Sequence, residues 1–526
     1  MFEIKEKDLA GRIGIIETRH GRITTPIVFP VINIIKQEVP IQDIVNIGFN
    51  AIITNAYLVL KRFRDKALKL GIHKIIGYNG PIMTDSGAYQ ILQYGTIDVE
   101  PNEIVLAQQR MNSDIAVILD IPTPENVDWN KAKYTVDETL RRAKSALKYI
   151  EDDERIWVLP IQGGKYLDLI RYAAKEAAHI PYYNMYAIGS PTQLLERYEY
   201  STIINIVGEA KRILPPDKPL HLFGAGHPMI LPFLVALGVD TFDSASYILY
   251  ARDRRYITPS RTHRLDELEE FPCSCPICSK YTPQEVRELS RRGQVKLLAL
   301  HNLYVIYEEL KKIRTAIREG RLWELLEERS RAHPSLYKAF KALIKYYNLI
   351  EKYDPTSKGI VHGIFLYSDE SLYRPEIIRY RNFINKLYQP PPRLRKAVLI
   401  PGSITEKPLS RSKIIETVNK MIRDVDRRHK IYYIPFFNII PHELCETYPL
   451  SQFEMNDNPS QTVLNIMVDN LIEYFKKWSK HYNEILIIID VNSSWIKDFL
   501  KMFIREVKMK LKDLNNIDLI ITSTTN

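Results

Sequence analysis

Ile115-Ala-Val-Ile-Leu-Asp120 decides the fold: five apolar residues in unbroken succession, ended by a carboxylate. A strand with one wet face alternates apolar and polar residues. A run that is apolar at every position suits a strand covered on both faces, as in a parallel sheet. Outward from this run the same unit recurs. Runs at 27–30, 51–55, 82–85, 156–162, 185–189, 219–224 and 239–243 bring the number to eight, and longer stretches separate them. The stretches 135–150, 167–178, 194–213 and 228–237 carry apolar residues at helical spacing. Eight strand–helix repeats predict a closed (β/α)₈ barrel.

The carboxyl ends of such strands build the mouth of a barrel, and there these runs place Asn55, Asp85, Asp120, Gln162, Gly189 and Asp243. One aspartate after a strand is ordinarily a helix N-cap. Three aspartates converging from different strands are costly in one cleft and mark it as a functional site.

Beyond the eighth run, Phe271-Pro-Cys-Ser-Cys-Pro-Ile-Cys278 holds three of the 4 cysteines of the chain, and His301 follows 23 residues after Cys278. The pattern C-x-C-x-x-C with a later histidine is a tetrahedral zinc set, with Cys273, Cys275, Cys278 and His301 as ligands. Four protein ligands leave no open position, so one structural Zn²⁺ per chain is expected, and the chemistry lies elsewhere. Between barrel and cysteines stand Arg252, Arg254, Arg255, Arg261 and Arg264, whose guanidinium forks suit phosphates.

The 526 residues allow about three domains. Hydrophobic residues make up 45% and charged residues 26%, ordinary for a globular chain with sizeable cores. Lys+Arg number 73 against 63 Asp+Glu, a net charge of +10 that is compatible with a nucleic-acid partner without requiring one. The opening MFEIKEKDLAGR has no apolar signal region, and no apolar run approaches the ~20 residues of a membrane span. A cytoplasmic protein without a membrane partner is expected. The predicted organisation is a catalytic barrel with its metal site over 1–345, a helical or irregular connector over 346–395, and a smaller α/β domain over 396–526. Pro390-Pro-Pro392 stiffens the connector. In the last part, strands are predicted at 397–401, 431–435, 485–491 and 519–521, with helices at 412–429, 461–481 and 495–511 between them. No phosphate-binding glycine motif occurs there.

Thr84-Asp-Ser-Gly-Ala-Tyr-Gln90 ends the third run. Together with Ile161-Gln-Gly-Gly164, Tyr186-Ala-Ile-Gly189, Leu222-Phe-Gly-Ala-Gly226, Phe242-Asp243 and the cysteine–histidine set, it makes residues 5–345 resemble the tRNA-guanine transglycosylases, of the archaeal type that makes the archaeosine precursor. The resemblance implies exchange of the guanine at position 15 in the D-arm of tRNA for 7-cyano-7-deazaguanine, with retention at the ribose. It gives Asp243 the role of nucleophile and Asp85 that of general acid/base. Asp120 then grips the N1–H and 2-amino edge of the base, Tyr89 stacks on it, and Gly189 and Ser190 lie beside its 7-substituent. Ser86 and Gln162 complete the base-binding set, and the five arginines are the expected tRNA contacts. The residues read by themselves agree, since retention needs one carboxylate to attack and another to move protons. A base must also leave its stack to be reached.

Many archaeal members end in a small RNA-binding PUA domain. Residues 396–526 resemble instead the α/β domain that precedes it, including Ile434-Pro-Phe-Phe-Asn438 and Pro441-His-Glu-Leu444. The form without a PUA domain is expected, with a separate PUA-type RNA-binding protein as a partner and a homodimer left open. Gly163 stands where bacterial relatives carry a second glutamine, in keeping with a cyano rather than an aminomethyl substrate. Three alternatives stay open: an archaeosine synthase-like paralogue, a non-catalytic tRNA-binding subunit, and queuine or its bacterial precursor as the incoming base. Retention of Asp85, Asp120 and Asp243 together speaks against the first two.

Overall fold

A computed structural model describes residues 2–88, 90, 99–358, 360, 362–490, 495–510 and 517–522 (of 507–510 and 517–522 the backbone only). They form two compact units, Met1–Ile360 and Val361–Asn526.

In the first unit, eight strands make one parallel sheet: β4 (Ile27–Pro30), β5 (Ile52–Asn55), β6 (Ile82–Asp85), β7 (Ile115–Val117), β8 (Ile156–Ile161), β9 (Met185–Ile188), β10 (Leu220–Leu222) and β11 (Thr241–Ser244). Each pairs with its successor from β5 to β11, and β11 returns to pair with β4. A bridge between Val31 and Ile53 joins β4 to β5 and closes the ring. The barrel expected from the repeats is therefore present, every strand falling inside or within a residue of its run.

The unbroken hydrophobicity has a plain cause. Phe29, Ile53, Met83, Ile115, Val117, Val158, Met185 and Ala187 fill the barrel interior. Their neighbours along the same strands, such as Val28, Ile52, Ile82, Ala116, Trp157, Tyr186 and Phe242, meet the helices outside. Both faces are dry, so both sets of alternate residues are apolar. The pleat also fixes the mouth. Two residues beyond inward Met83 comes Asp85, and two beyond Thr241 comes Asp243, so both carboxylates inherit the inward direction.

Two elements differ from the sequence reading. The helix expected over 194–213 is two helices, Thr192–Glu196 and Tyr200–Lys211, broken where Tyr198 takes left-handed backbone at φ 59°. Ahead of the barrel, β1 (Phe2–Asp8), β2 (Gly11–Thr18) and β3 (Gly21–Thr24) form an antiparallel sheet that the sequence reading passed over. Two clusters lock this sheet to the amino-terminal end of the barrel. Buried Arg12 donates from Nε and Nη2 to the two oxygens of buried Asp240, each at 2.7 Å. Buried Asp114 accepts from Ile82 N at 2.9 Å, and meets His20 Nδ1 at 2.8 Å and His73 Nε2 at 3.1 Å, with the two imidazoles stacked 3.7 Å apart.

Past β11, the helix Ser246–Arg252 leads into a hairpin, β12 (Arg255–Ile257) with β13 (Thr262–Arg264), and then to the cysteines and the long helix Arg291–Glu319. The stretch 346–395 is divided: the helix Tyr347–Tyr353 lies in the first unit and everything from 362 onward in the second.

In the second unit, β15 (Lys396–Pro401), β16 (Arg428–Ile434), β19 (Glu484–Asp490) and β20 (Ile517–Thr522) run parallel, and β17 (Asn438–Pro441) adds an antiparallel edge. A separate parallel pair joins β14 (Ile364–Leu366) to β18 (Phe453–Met455). The helix expected over 412–429 stops at Met421, and β16 begins at Arg428. The charged run Arg423-Asp-Val-Asp-Arg-Arg428 reads as a solvated helix face, yet Ile431-Tyr-Tyr-Ile434 favours a strand.

Candidate active site

Asp85 ends β6 and is held from two sides. Asn55 Nδ2, from the end of β5, donates to Asp85 Oδ2 at 3.1 Å and to Gln90 Oε1 at 2.9 Å. The same Asn55 caps the helix Ala56–Leu70 through Oδ1, which accepts from Leu58 N at 2.9 Å. One asparagine thus spaces two members of the Asp85–Gln90 motif. The hydroxyl of Ser86 is buried with no hydrogen-bond partner among the described residues. Tyr89 lies outside the described residues.

Asp120 follows β7. Gln162 Nε2, just beyond β8, donates to Asp120 Oδ2, while its Oε1 accepts from Thr123 N at 3.0 Å and Ser190 Oγ at 3.1 Å. With both ends committed, the amide cannot flip without losing contacts. Gly189 makes the arrangement feasible, because a Cβ there would stand 2.1 Å from Gln162 Nε2. The loops after β7, β8 and β9 are thereby tied into one wall.

Asp243, in β11, is oriented through one of its two oxygens. Its Oδ1 accepts from the backbone N–H of Gly224 at 2.9 Å and from His221 Nε2 at 3.1 Å, the carboxylate taking the proton donor role from neither. His221 is buried in β10, with Thr241 Oγ1 at 2.9 Å from its Nδ1 and the rings of Phe29 and Phe223 packed around it. The donor at Gly224 comes from a turn with φ 73°, which glycine accepts without strain. Two donors fix one oxygen, and among the described residues none donates to Oδ2. The sequence reading missed His221. Its only signal was a single polar residue at an inward position of an apolar strand.

Asp85, Asp120, Gln162, Gly189, Ser190 and Asp243 line one cavity of about 630 Å³ at the mouth of the barrel. Burial, with added repulsion from Asp120 and Asp243, pushes Asp85 up to about 7, against which the N–H groups of Gly87 and Ser86 pull weakly. Burial also raises Asp120 to about 6, while the Gln162 hydrogen bond and Arg142 pull it back. Near neutral pH the cavity therefore holds a carboxyl that can give or take a proton, beside one ionised enough to accept from an N–H edge.

The metal set also assembles. The donors of Cys273, Cys275, Cys278 and His301 all lie within 4.8 Å of one another. Sγ of Cys275 is 3.6 Å from Sγ of Cys278, and His301 Nδ1 is 3.5 Å and 3.3 Å from these two sulfurs. A tetrahedron with bonds of about 2.0–2.3 Å has edges of roughly 3.3–3.8 Å, so the cluster fits such an ion. His301 is oriented for it: Nε2 donates to Ile257 O at 2.8 Å, and the ring stacks at 3.7 Å on Tyr256. Both anchors belong to β12, so a bound ion would brace the hairpin of the arginine loop.

The five arginines are less uniform than the sequence suggests. Arg252 is taken up by Glu38 in a two-pronged ion pair at 3.0 and 2.8 Å, and Arg254 pairs with Asp266 at 2.7 Å. Arg255 approaches Asp253 at 3.9 Å and lies over the ring of Tyr250. Arg261 and Arg264 are exposed and make no ion pair among the described residues. No helix among the described residues is long and apolar enough to cross a membrane.

Comparison with known proteins places the chain in a family. Residues 7–335 match the family model described as queuine tRNA-ribosyltransferase. The tRNA-guanine(15) transglycosylase of Sulfolobus acidocaldarius is 47% identical over 489 residues, 93% of this chain and 95% of that protein. Its namesake in Aeropyrum pernix is 48% identical over 86% of this chain and 87% of its own. The one from Methanocaldococcus jannaschii is 41% identical over 90% and 72%.

Proposed function

Because this chain belongs to the queuine tRNA-ribosyltransferase family, we propose that it exchanges guanine 15 of tRNA for 7-cyano-7-deazaguanine through a ribosyl ester on Asp243, a step toward archaeosine. The observation that carries this reading is the division of labour among three carboxylates that line one cavity. Asp243 is held by His221 and Gly224 through Oδ1, which leaves Oδ2 without a donor among the described residues. Asp85 is raised to about 7 in the same cavity.

Each role follows from these environments. Oδ2 of Asp243 attacks the ribose anomeric carbon, the bond from that carbon to the guanine ring nitrogen breaks, and its electron pair leaves with the base. Asp85 supplies the proton the departing base needs and then takes the corresponding proton from the incoming one. The incoming nitrogen displaces Asp243, so two inversions give retention. Asp120, steadied by Gln162, accepts from N1–H and the 2-amino group. Gly189 and Ser190 flank the 7-substituent. Cys273, Cys275, Cys278 and His301 would hold a Zn²⁺ that supplies shape alone, bracing the hairpin from which Arg261 and Arg264 reach phosphate.

Incubation of the protein and archaeal tRNA with each candidate base, followed by nucleoside mass spectrometry, tests this. The expected product carries 7-cyano-7-deazaguanine at position 15. Incorporation of only queuine or the aminomethyl base would replace the substrate, and no incorporation of any base would overturn the exchange itself.

A further inference from the structure

The cavity at the barrel mouth continues past the carboxylates to a second, aromatic end that base exchange at one nucleotide does not use. Leu195, Glu196, Tyr198, Tyr200, Leu249 and Tyr250 line it. Tyr198 is 37% exposed and Leu249 51%, although both are large apolar groups at the rim of a cavity.

Three features make this end more than loose packing. The backbone of Tyr198 lies at φ 59°, a conformation that a bulky residue adopts only when its surroundings impose it. Its ring is backed by Tyr200 at 5.5 Å and His333 at 5.3 Å, which fixes its plane while part of the side chain stays open. Across the same end, Tyr250 carries the Arg255 guanidinium 5.4 Å from its ring centre, so a cation stands beside an aromatic surface. Fixed aromatic rings with a neighbouring guanidinium are what a protein uses to hold an unpaired nucleobase and the phosphate that follows it.

Position selects the occupant. The ribose under attack must sit at Asp243, and the helix Ser246–Arg252, bearing Leu249 and Tyr250, begins two residues after β11. The RNA backbone leaving that ribose therefore meets this end next. We propose that Tyr198, with Leu249 and Tyr250, forms a platform on which the base adjacent to the exchanged guanine stacks once it has left the tRNA fold. The proposal rests on the exchange reading for its placement of the ribose. It makes Tyr198 a determinant of how the flanking nucleotide is held.

Binding of tRNA transcripts is the test, with wild type, Tyr198→Ala and Tyr198→Phe measured on intact RNA and on RNA made abasic at the 5′ or the 3′ neighbour of the target guanine. Loss of one stacked base weakens binding by about 5- to 150-fold. Tyr198→Ala should raise Kd about tenfold on intact RNA and by no further factor on one of the abasic RNAs, whereas Tyr198→Phe should bind like wild type. An equal loss on intact and both abasic RNAs, or no loss at all, overturns the platform. Should Tyr198→Ala not fold, wild type still decides the matter with 2-aminopurine at each neighbouring position in turn. Quenching on binding at one position supports stacking, and no quenching at either refutes it. The two readings fail separately: tRNA bound with quenching but no base exchanged sinks the exchange reading alone, while exchange without flanking-base dependence sinks the platform alone.

Discussion

The two ends of the barrel hold aspartates in opposite states. At the amino-terminal end, Asp240 is gripped by Arg12, and Asp114 by His20, His73 and the N–H of Ile82, which together hold its carboxyl below the ordinary range. At the carboxyl-terminal end, Asp85 and Asp120 form no ion pair among the described residues, and burial drives them up to about 7 and about 6. Residue type is the same at both ends, and what differs is the neighbours each carboxylate faces. A buried carboxylate with donors on every side stabilises a fold, whereas one facing other carboxylates is kept for chemistry.

The largest effect that would break this comparison belongs to Asp243. Asp243→Asn keeps the shape and both donors' reach but removes the attacking charge. Exchange of labelled guanine should fall at least ten-thousand-fold, about 5 kcal/mol of barrier, with the denaturant-resistant protein–tRNA adduct gone and tRNA binding nearly retained. Survival of the adduct in Asp243→Asn, with its loss in Asp85→Asn, would exchange the two roles.

At the opposite end the same logic predicts damage to stability instead. Arg12→Ala leaves Asp240 buried without its cation, a change of about 3–5 kcal/mol by breaking one side of a buried pair. Urea denaturation should show that loss, and the folded remainder should exchange guanine at the wild-type rate. A rate loss matching the Asp243 variant would mean that the two ends are not separable.

One side of this contrast, the carboxyl-terminal mouth, could be read from the sequence. The eight runs mark the strands because a strand dry on both faces has no choice but to be apolar throughout, and the strand-end aspartates then mark the mouth. The amino-terminal end was not legible. Arg12, His20, His73, Asp114 and Asp240 are scattered over more than two hundred residues, and only barrel closure brings them together. The sheet Phe2–Thr24 was hidden by its charge, since its strands present lysines and glutamates to solvent on one face. His221 was overlooked for the opposite reason: it sits inside an apolar run and looks like a core histidine. Tyr198 lay in what reads as continuous helix until the left-handed residue breaks it.

A smaller loss is expected from Asp114→Asn. Because its folded carboxyl lies below the ordinary value, Asp114 contributes stability above pH about 4, and that contribution disappears as the pH falls through the lowered value. The variant should therefore cost about 1–3 kcal/mol at pH 7, from donors left poorly matched, and progressively less in acid. An equal cost at pH 3 and pH 7 would show that packing of the stacked histidines, not the charge, is what Asp114 secures.

Asp85→Asn sharpens the comparison most, although its effect on stability is the smallest, because the sign reverses. Asp85 has a folded value near 7 against 3.8 when exposed, so the folded state binds its proton more tightly than the unfolded chain. Stability from this group is present in full below pH about 4 and is lost as the pH rises through about 7, where the buried carboxylate must ionise against Asp120 and Asp243. Asparagine never ionises. The variant should be more stable than wild type by about 1–2 kcal/mol at pH 8, with the advantage shrinking to near zero by pH 4, while exchange is lost at every pH. Wild-type kcat/KM should decline above pH about 7, as the proton destined for the departing guanine is lost. Thermal denaturation of both proteins across pH 4–8 decides the point. If Asp85→Asn were less stable than wild type at pH 8, the charge of Asp85 would be satisfied in the folded protein after all, and the mouth would be built like the opposite end.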